Sequence, residues 1–156
     1  MDKARAKRLG AVAIATGLYC GYFPIASGTF GSLVGVLIVL ATQSFPIWLN
    51  IALAAGLLAV GVWASDEANR IFGEADSSYI VADEIVGMMI TMIGIPITQY
   101  WLIWGFLLFR LFDIVKPPPA NYFDEKVKSG WGVMMDDVVA GIYANILLHL
   151  MIRASL

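Results

Sequence analysis

The sequence predicts an all-α fold, a polytopic helical membrane bundle with about four spanning segments and a short interfacial helix at the N-terminus. Three observations predict it. Hydrophobic residues make up 60% of the chain and charged residues 14%, with a mean hydropathy of +0.78; soluble domains run nearer half apolar and a quarter charged. Several apolar runs approach the roughly 20 residues needed to cross a bilayer. The basic residues gather on one side once those runs are folded back and forth. The 156 residues suffice for one domain, read as 1–156. Basic residues precede the first apolar run, as in a signal peptide, but no clear cleavage site or soluble domain follows.

Residues 1–8, MDKARAKR, form a basic terminus suited to an anionic lipid surface. Residues 9–26 are apolar but broken by Gly10, Gly17, Gly21 and Pro24, which predicts an interfacial or re-entrant helix. Cys20, the single cysteine, excludes an intramolecular disulfide. SGTFGS, residues 27–32, reads as a small-residue loop opening a helix. Its backbone N–H groups and the helix dipole suit a phosphate, with Ser27, Thr29 and Ser32 adding hydroxyls. Residues 33–42 are a short apolar helix, too short to span alone. After a turn at 43–46, residues 47–64 form a crossing. The polar connection 65–78 begins as a helix with a solvated charged face.

Residues 79–97 are the next long apolar run, with Asp83 and Glu84 near its start and Met88, Met89 and Met92 facing lipid or core. Residues 100–115 cross back, opened by the interfacial aromatics Tyr100, Trp101 and Trp104. Arg110, Asp113 and Lys116 follow at three-residue spacing, near one helical face. Pro117, Pro118 and Pro119 stop that helix. Residues 120–132 form a loop or short surface helix, and 133–152 the last crossing. Asp137, Gly141 and Asn145 lie on one stripe of it, the glycine allowing close helix approach and the asparagine an interhelical hydrogen bond.

With the N-terminal helix not spanning, residues 1–32, 65–78 and 116–132 share one side. Lys3, Arg5, Lys7, Arg8, Arg70, Lys116, Lys126 and Lys128 fall there, and Arg153 on the other. The positive-inside rule makes the first side cytoplasmic. The same folding brings SGTFGS, Asp83, Glu84, Arg110, Asp113, Lys116, Asp136 and Asp137 to that face.

Ionisable groups this close to lipid are costly and are functional candidates by default. Five acids outnumber two cations here, so ion pairing alone leaves acids unmatched. Oxygen ligands without cysteine clusters, and with His149 the single histidine, favour Mg²⁺ over Zn²⁺. Carboxylates holding a metal beside arginine and lysine suit phosphoryl transfer or hydrolysis, and the composition adds a lipid substrate. A non-enzymatic carrier or cation-conducting subunit is the competing class, but its site belongs near mid-membrane. The basic residues are too few and scattered for nucleic acid.

SGTFGS, ADEIVGM, FRLFDIVKPPPA and GWGVMMDDVVAGIYAN resemble the phosphatidylglycerophosphatase A family, over roughly residues 10–150. The resemblance implies a Mg²⁺-dependent phosphatase of the bacterial inner membrane, facing the cytoplasm, which converts phosphatidylglycerophosphate to phosphatidylglycerol. A lipid phosphatase of other headgroup specificity is the nearest alternative. On this reading Glu84, Asp136 and Asp137 are the expected metal ligands, with Asp83 or Asp113 completing the site. Arg110 and Lys116 grip the phosphate together with Ser27, Gly28 and Thr29. Water attack on phosphorus is expected, ahead of a covalent route through Asp113 or Thr29. Ser129 stands before Gly130 where the family often has a second glycine.

Overall fold

The structure, a computed structural model, describes residues 3–75 and 77–155. Met1 and Asp2 of the basic terminus, Asp76 of the polar connection and Leu156 lie outside the described residues. The fold is all-α. In chain order the helices are α1 (Lys3–Ala15), α2 (Ser27–Ala41), α3 (Ile47–Phe72), α4 (Ala82–Thr91), α5 (Gln99–Val115), α6 (Ala120–Lys126) and α7 (Gly130–Ala154), with a 3-10 turn at Cys20–Tyr22.

The short helix α4 is the hub. Helices α2, α3, α5 and α7 all pack on it, and eight of its residues, Asp83 among them, are buried. Met88, Met89 and Met92 belong to the main core with Phe109, Ala140, Ala144 and Leu148. α7 crosses α4 glycine on glycine: a Cβ on Gly141 of α7 would lie 2.5 Å from the Gly87 carbonyl oxygen of α4. One turn further along α7, Asn145 donates from Nδ2 to the carbonyls of Thr91 (2.9 Å) and Ile93 (2.8 Å). It thereby supplies the α4 C-terminus with donors that the ending helix lacks. The expected stripe of Asp137, Gly141 and Asn145 is therefore the face of α7 that meets α4.

Among the described residues, two helices, α3 and α7, are long and apolar enough to cross a membrane by length and composition. They match the expected crossings at 47–64 and 133–152. The other two expected crossings hold shorter helices. α4 has 10 residues, only about 15 Å of rise, because Gly94 adopts φ 72° and turns the chain at 92–98. α5 has 17 residues. Its N-terminus is capped by Thr98, whose Oγ1 accepts from the Trp101 N–H at 3.3 Å.

Three expectations shift. SGTFGS is not a loop: Ala26 is the N-cap, and the motif forms the first turns of α2. Gly28, Gly31 and Ser32 face inward, and Ser32 Oγ donates to the Gly28 carbonyl at 2.8 Å, so this hydroxyl is spent inside the helix. The polar stretch after residue 64 begins as a helix, as expected, with Arg70 exposed, but α3 runs on to Phe72 with Ser65 and Ala68 buried on its other side. Asp66 there accepts from the Gly130 N–H at 2.6 Å, capping α7 from a neighbouring helix. The N-terminal helix begins inside the basic segment, at Lys3, and packs on α3.

Candidate active site

The ends of four helices meet in a cleft of about 490 Å³. α2 and α4 contribute N-termini, α5 its C-terminus, and α7 its second turn. Ser27, Gly28, Asp83, Glu84, Arg110, Asp113, Lys116 and Asp136 line it, together with Ser77 and Ser78. Each acid is placed by local structure. Asp83 and Glu84 occupy the first turn of α4, where carboxylates suit the positive end of the helix dipole. Arg110 and Asp113 sit in the last turns of α5. Lys116 is its C-cap at φ 47°, a left-handed residue that ends the helix ahead of the prolines.

Asp83, Glu84 and Asp137 each bring a carboxylate oxygen within 4.8 Å of the others. Glu84 Oε2 and both oxygens of Asp137 are buried without a hydrogen-bond partner among the described residues. Buried carboxylates in such proximity repel one another and are expensive to desolvate. The three can hold a metal ion, whose charge would offset both costs. The donor set is oxygen throughout, the chemistry of a hard cation.

Two cations flank the trio. Arg110 Nη1 lies 2.5 Å from Asp113 Oδ2 and 3.9 Å from Glu84 Oε1. Lys116 Nζ donates to Asp124 Oδ1 at 2.5 Å and Asp136 Oδ2 at 2.6 Å. Partial burial works to lower the Lys116 pKa, but the hydrogen bonds and charges of Asp124 and Asp136 outweigh it and hold the ammonium well above the ordinary lysine range. Lys116 is thus a fixed positive charge at any physiological pH. Asp136 Oδ1 also accepts the Asp137 N–H at 2.9 Å.

The expected site residues separate into groups. Asp83, Glu84 and Asp137 converge. Asp136 instead turns to Lys116, because neighbours on a helix point about 100° apart. Asp113 pairs with Arg110. Ser27 lines the cleft and donates through Oγ to the Ser78 carbonyl at 2.8 Å. Thr29 is half-buried and is not among the residues lining the cleft. Asp124 of α6 was not anticipated. It lies in a polar run that reads as a surface helix, and only the chain reversal at the prolines returns it to Lys116.

A sequence model of phosphatidylglycerophosphatase A matches residues 13–152. A protein of Bacteroides thetaiotaomicron named "Putative phosphatidylinositol-3-phosphatase" is 39% identical over 145 residues, covering 88% of this chain and 90% of its own. Phosphatidylglycerophosphatase A of Haemophilus influenzae is 37% identical, covering 86% of this chain and 84% of its own. Phosphatidylglycerophosphatase A of Escherichia coli K12 is 35% identical, covering 87% and 80%. No solved structure matches. With the family's pattern matched from α1 to the last turns of α7, and its acids gathered at one cleft, the chain belongs to the phosphatidylglycerophosphatase A family of lipid phosphatases.

Proposed function

We propose that this protein is a Mg²⁺-dependent phosphatidylglycerophosphatase, a single 1–156 domain of the bacterial inner membrane with its cleft toward the cytoplasm. The observation that carries the reading is the carboxylate trio of Asp83, Glu84 and Asp137, of which Asp83 and Glu84 line one cleft with Arg110 and Lys116. About four segments span the bilayer, α3 and α7 among them, and the basic residues of α1, α6 and the α5–α6 junction mark the cytoplasmic side.

Asp83, Glu84 and Asp137 would hold the Mg²⁺, with Asp136 supporting Asp137 through its N–H. The ion would supply charge neutralisation on the phosphoryl group and an acidified water. Arg110 and Lys116 bind the phosphate oxygens, and the α2 N-terminus at Ser27 and Gly28 adds its dipole. Asp124 and Asp136 keep Lys116 charged and aimed. Asp113, on the cleft wall outside the trio, takes the proton from the attacking water. It then returns one to the glycerol oxygen as the P–O bond breaks. Water attack is placed ahead of a phosphoryl-aspartate at Asp113. Thr29, away from the cleft lining, is placed last as a nucleophile.

The relative named as a phosphatidylinositol-3-phosphatase favours a second reading, in which the headgroup is an inositol phosphate. Phosphate release from mixed micelles of each lipid, with and without EDTA, tests both. Release from phosphatidylglycerophosphate that stops with EDTA and returns with Mg²⁺ is expected. Faster turnover of phosphatidylinositol 3-phosphate would move the protein to the second reading. Release indifferent to EDTA would remove the metal from the mechanism.

A further inference from the structure

The two helices that wall the cleft continue past it as the walls of an apolar furrow. From α2 the furrow is lined by Leu33 and Val36, and from α5 by Leu102, Ile103, Phe106 and Leu107. Its volume is about 250 Å³, and every lining residue is apolar. Leu33 is five residues beyond Gly28, and Leu107 three residues before Arg110. Along α5, Arg110 to Ile103 is about 10 Å of rise. The polarity of the α2–α5 seam thus changes within two turns, from Arg110 and Ser27 to apolar side chains. Leu33, Ile103 and Leu107 are 45%, 60% and 51% exposed, so the furrow opens laterally. α2 and α5 do pack together, so the furrow is a seam with a floor.

We infer that the α2–α5 furrow is the acyl-chain subsite of the enzyme: one fatty-acyl chain of the phospholipid substrate lies along Leu33, Val36, Ile103 and Leu107 while its phosphomonoester occupies the cleft. The headgroup assignment rests on the phosphatase reading above; the chain assignment rests on the furrow. A lipid phosphate reaching this cleft must leave its tails in an apolar phase. The furrow provides that phase on the same helices that hold Arg110 and Gly28. A second apolar groove is built from Ala13, Ile14, Leu18, Leu57 and Ile85 among others. It meets the opposite face of α4, through Ala82, Ile85 and Val86, and shares none of the cleft's residues.

Two measurements test the inference. The first is photolabelling of the detergent-solubilised full chain with phosphatidylglycerophosphate bearing a diazirine in one acyl chain, in Mg²⁺-free buffer. Labelling of α5 peptides, with or without α2, is expected, reduced by excess unlabelled phosphatidylglycerophosphate and not by phosphatidylcholine. Label on α1 or α3 peptides, which line the second groove and not the furrow, or label that phosphatidylcholine removes equally, overturns the subsite. The second is kinetic, using Leu33→Trp and Ile103→Trp to fill the furrow without adding charge. KM for the long-chain lipid should rise about tenfold with kcat retained, while a dibutanoyl analogue of the same headgroup is hydrolysed at the wild-type rate. An equal loss on both substrates, or no loss on either, overturns it. Competed furrow labelling without phosphate release would instead retain the subsite and remove the phosphatase reading.

Discussion

Gly28 lies directly against the carboxylate of Glu84, where the first turn of α2 abuts the first turn of α4. A Cβ at Gly28 would collide with Glu84 Oε1 and come within 2.9 Å of Arg110 Nη1. The glycine is therefore a spatial requirement of the charged cluster, since its backbone is ordinary helix. Gly28→Ala should cost about a hundredfold in phosphate release, the scale of a displacement near one ångström at a reacting centre. The helix itself should gain, alanine being the better helix former. Far-UV circular dichroism with unchanged helicity, beside an activity assay, checks both halves. Near-wild-type turnover would mean that Glu84 and Arg110 are not needed where they stand.

The trio sets stability against activity. Among the described residues, both oxygens of Asp137 are buried without a hydrogen-bond donor, and Asp137 shares its site with Asp83 and Glu84. Asp137→Asn removes one of the mutually repelling charges. In EDTA the variant should melt higher than wild type, because a buried unpaired carboxylate costs more than a buried amide. Adding Mg²⁺ should raise the melting temperature of the wild type by mass action and leave the variant unmoved. Turnover should fall about a hundredfold or more. Thermal scans of both proteins with EDTA and with Mg²⁺ decide the matter; a variant that melts lower than wild type in EDTA contradicts the charge argument.

Which parts of this were legible in the sequence follows from what hydropathy can resolve. Isolated charges in apolar runs stand out, so Asp83, Glu84, Arg110, Asp113, Lys116, Asp136 and Asp137 were readable, and so was their gathering at one end of the bundle. The Gly141 and Asn145 stripe was readable because it follows helical period. Hydropathy does not distinguish a residue facing lipid from one facing other helices. Residues 79–97 therefore look like a crossing, whereas α4 owes its apolarity to burial by α2, α3, α5 and α7. Ser65 and Ala68 look like part of a polar connection because the partners that bury this face of α3 are distant in the chain: Ala68 packs with Ala15, Ile80 and Val133. The choice between Asp136 and Asp137 depends on the rotation of α7 about its axis, which the packing of Gly141 on Gly87 sets.

Lys116 joins α5, α6 and α7 through Asp124 and Asp136, and its pKa is raised in the fold above the ordinary 10.5. For a cation whose folded pKa is raised, the stabilising contribution is complete below the unfolded value and fades as pH climbs from there to the folded value. Lys116→Met should therefore melt below wild type by a constant margin from neutral pH to about pH 10. That margin should narrow only at higher pH. Melting temperatures of both proteins from pH 7 to 11 check this, and a margin that closes below pH 9 would show that the ammonium is not the stabilising group. Activity of the variant should be lost across the whole range, since the phosphate then lacks one of its two cations.

Asn145 offers a test of the scaffold apart from the chemistry. Its Nδ2 serves the carbonyls of Thr91 and Ile93 at once, at the opposite end of α4 from Asp83 and Glu84. Asn145→Leu keeps about the same size and favours helix but leaves two carbonyls of the α4 C-terminus without their donor. The cost should be about 1–3 kcal/mol, read from denaturant or thermal unfolding. Turnover well below the new melting temperature should change little, because the cleft is set by the N-terminal turn of α4 and by Gly141 on Gly87. Asn145→Asp tests the donor requirement directly: it keeps the shape but presents an acceptor, or a buried charge, to two carbonyls, and should be the more damaging of the two. If Asn145→Leu instead lowered activity tenfold or more at full stability, the register of α4 against α7 would be part of the catalytic geometry, and the separation between scaffold and site drawn from these contacts would fail.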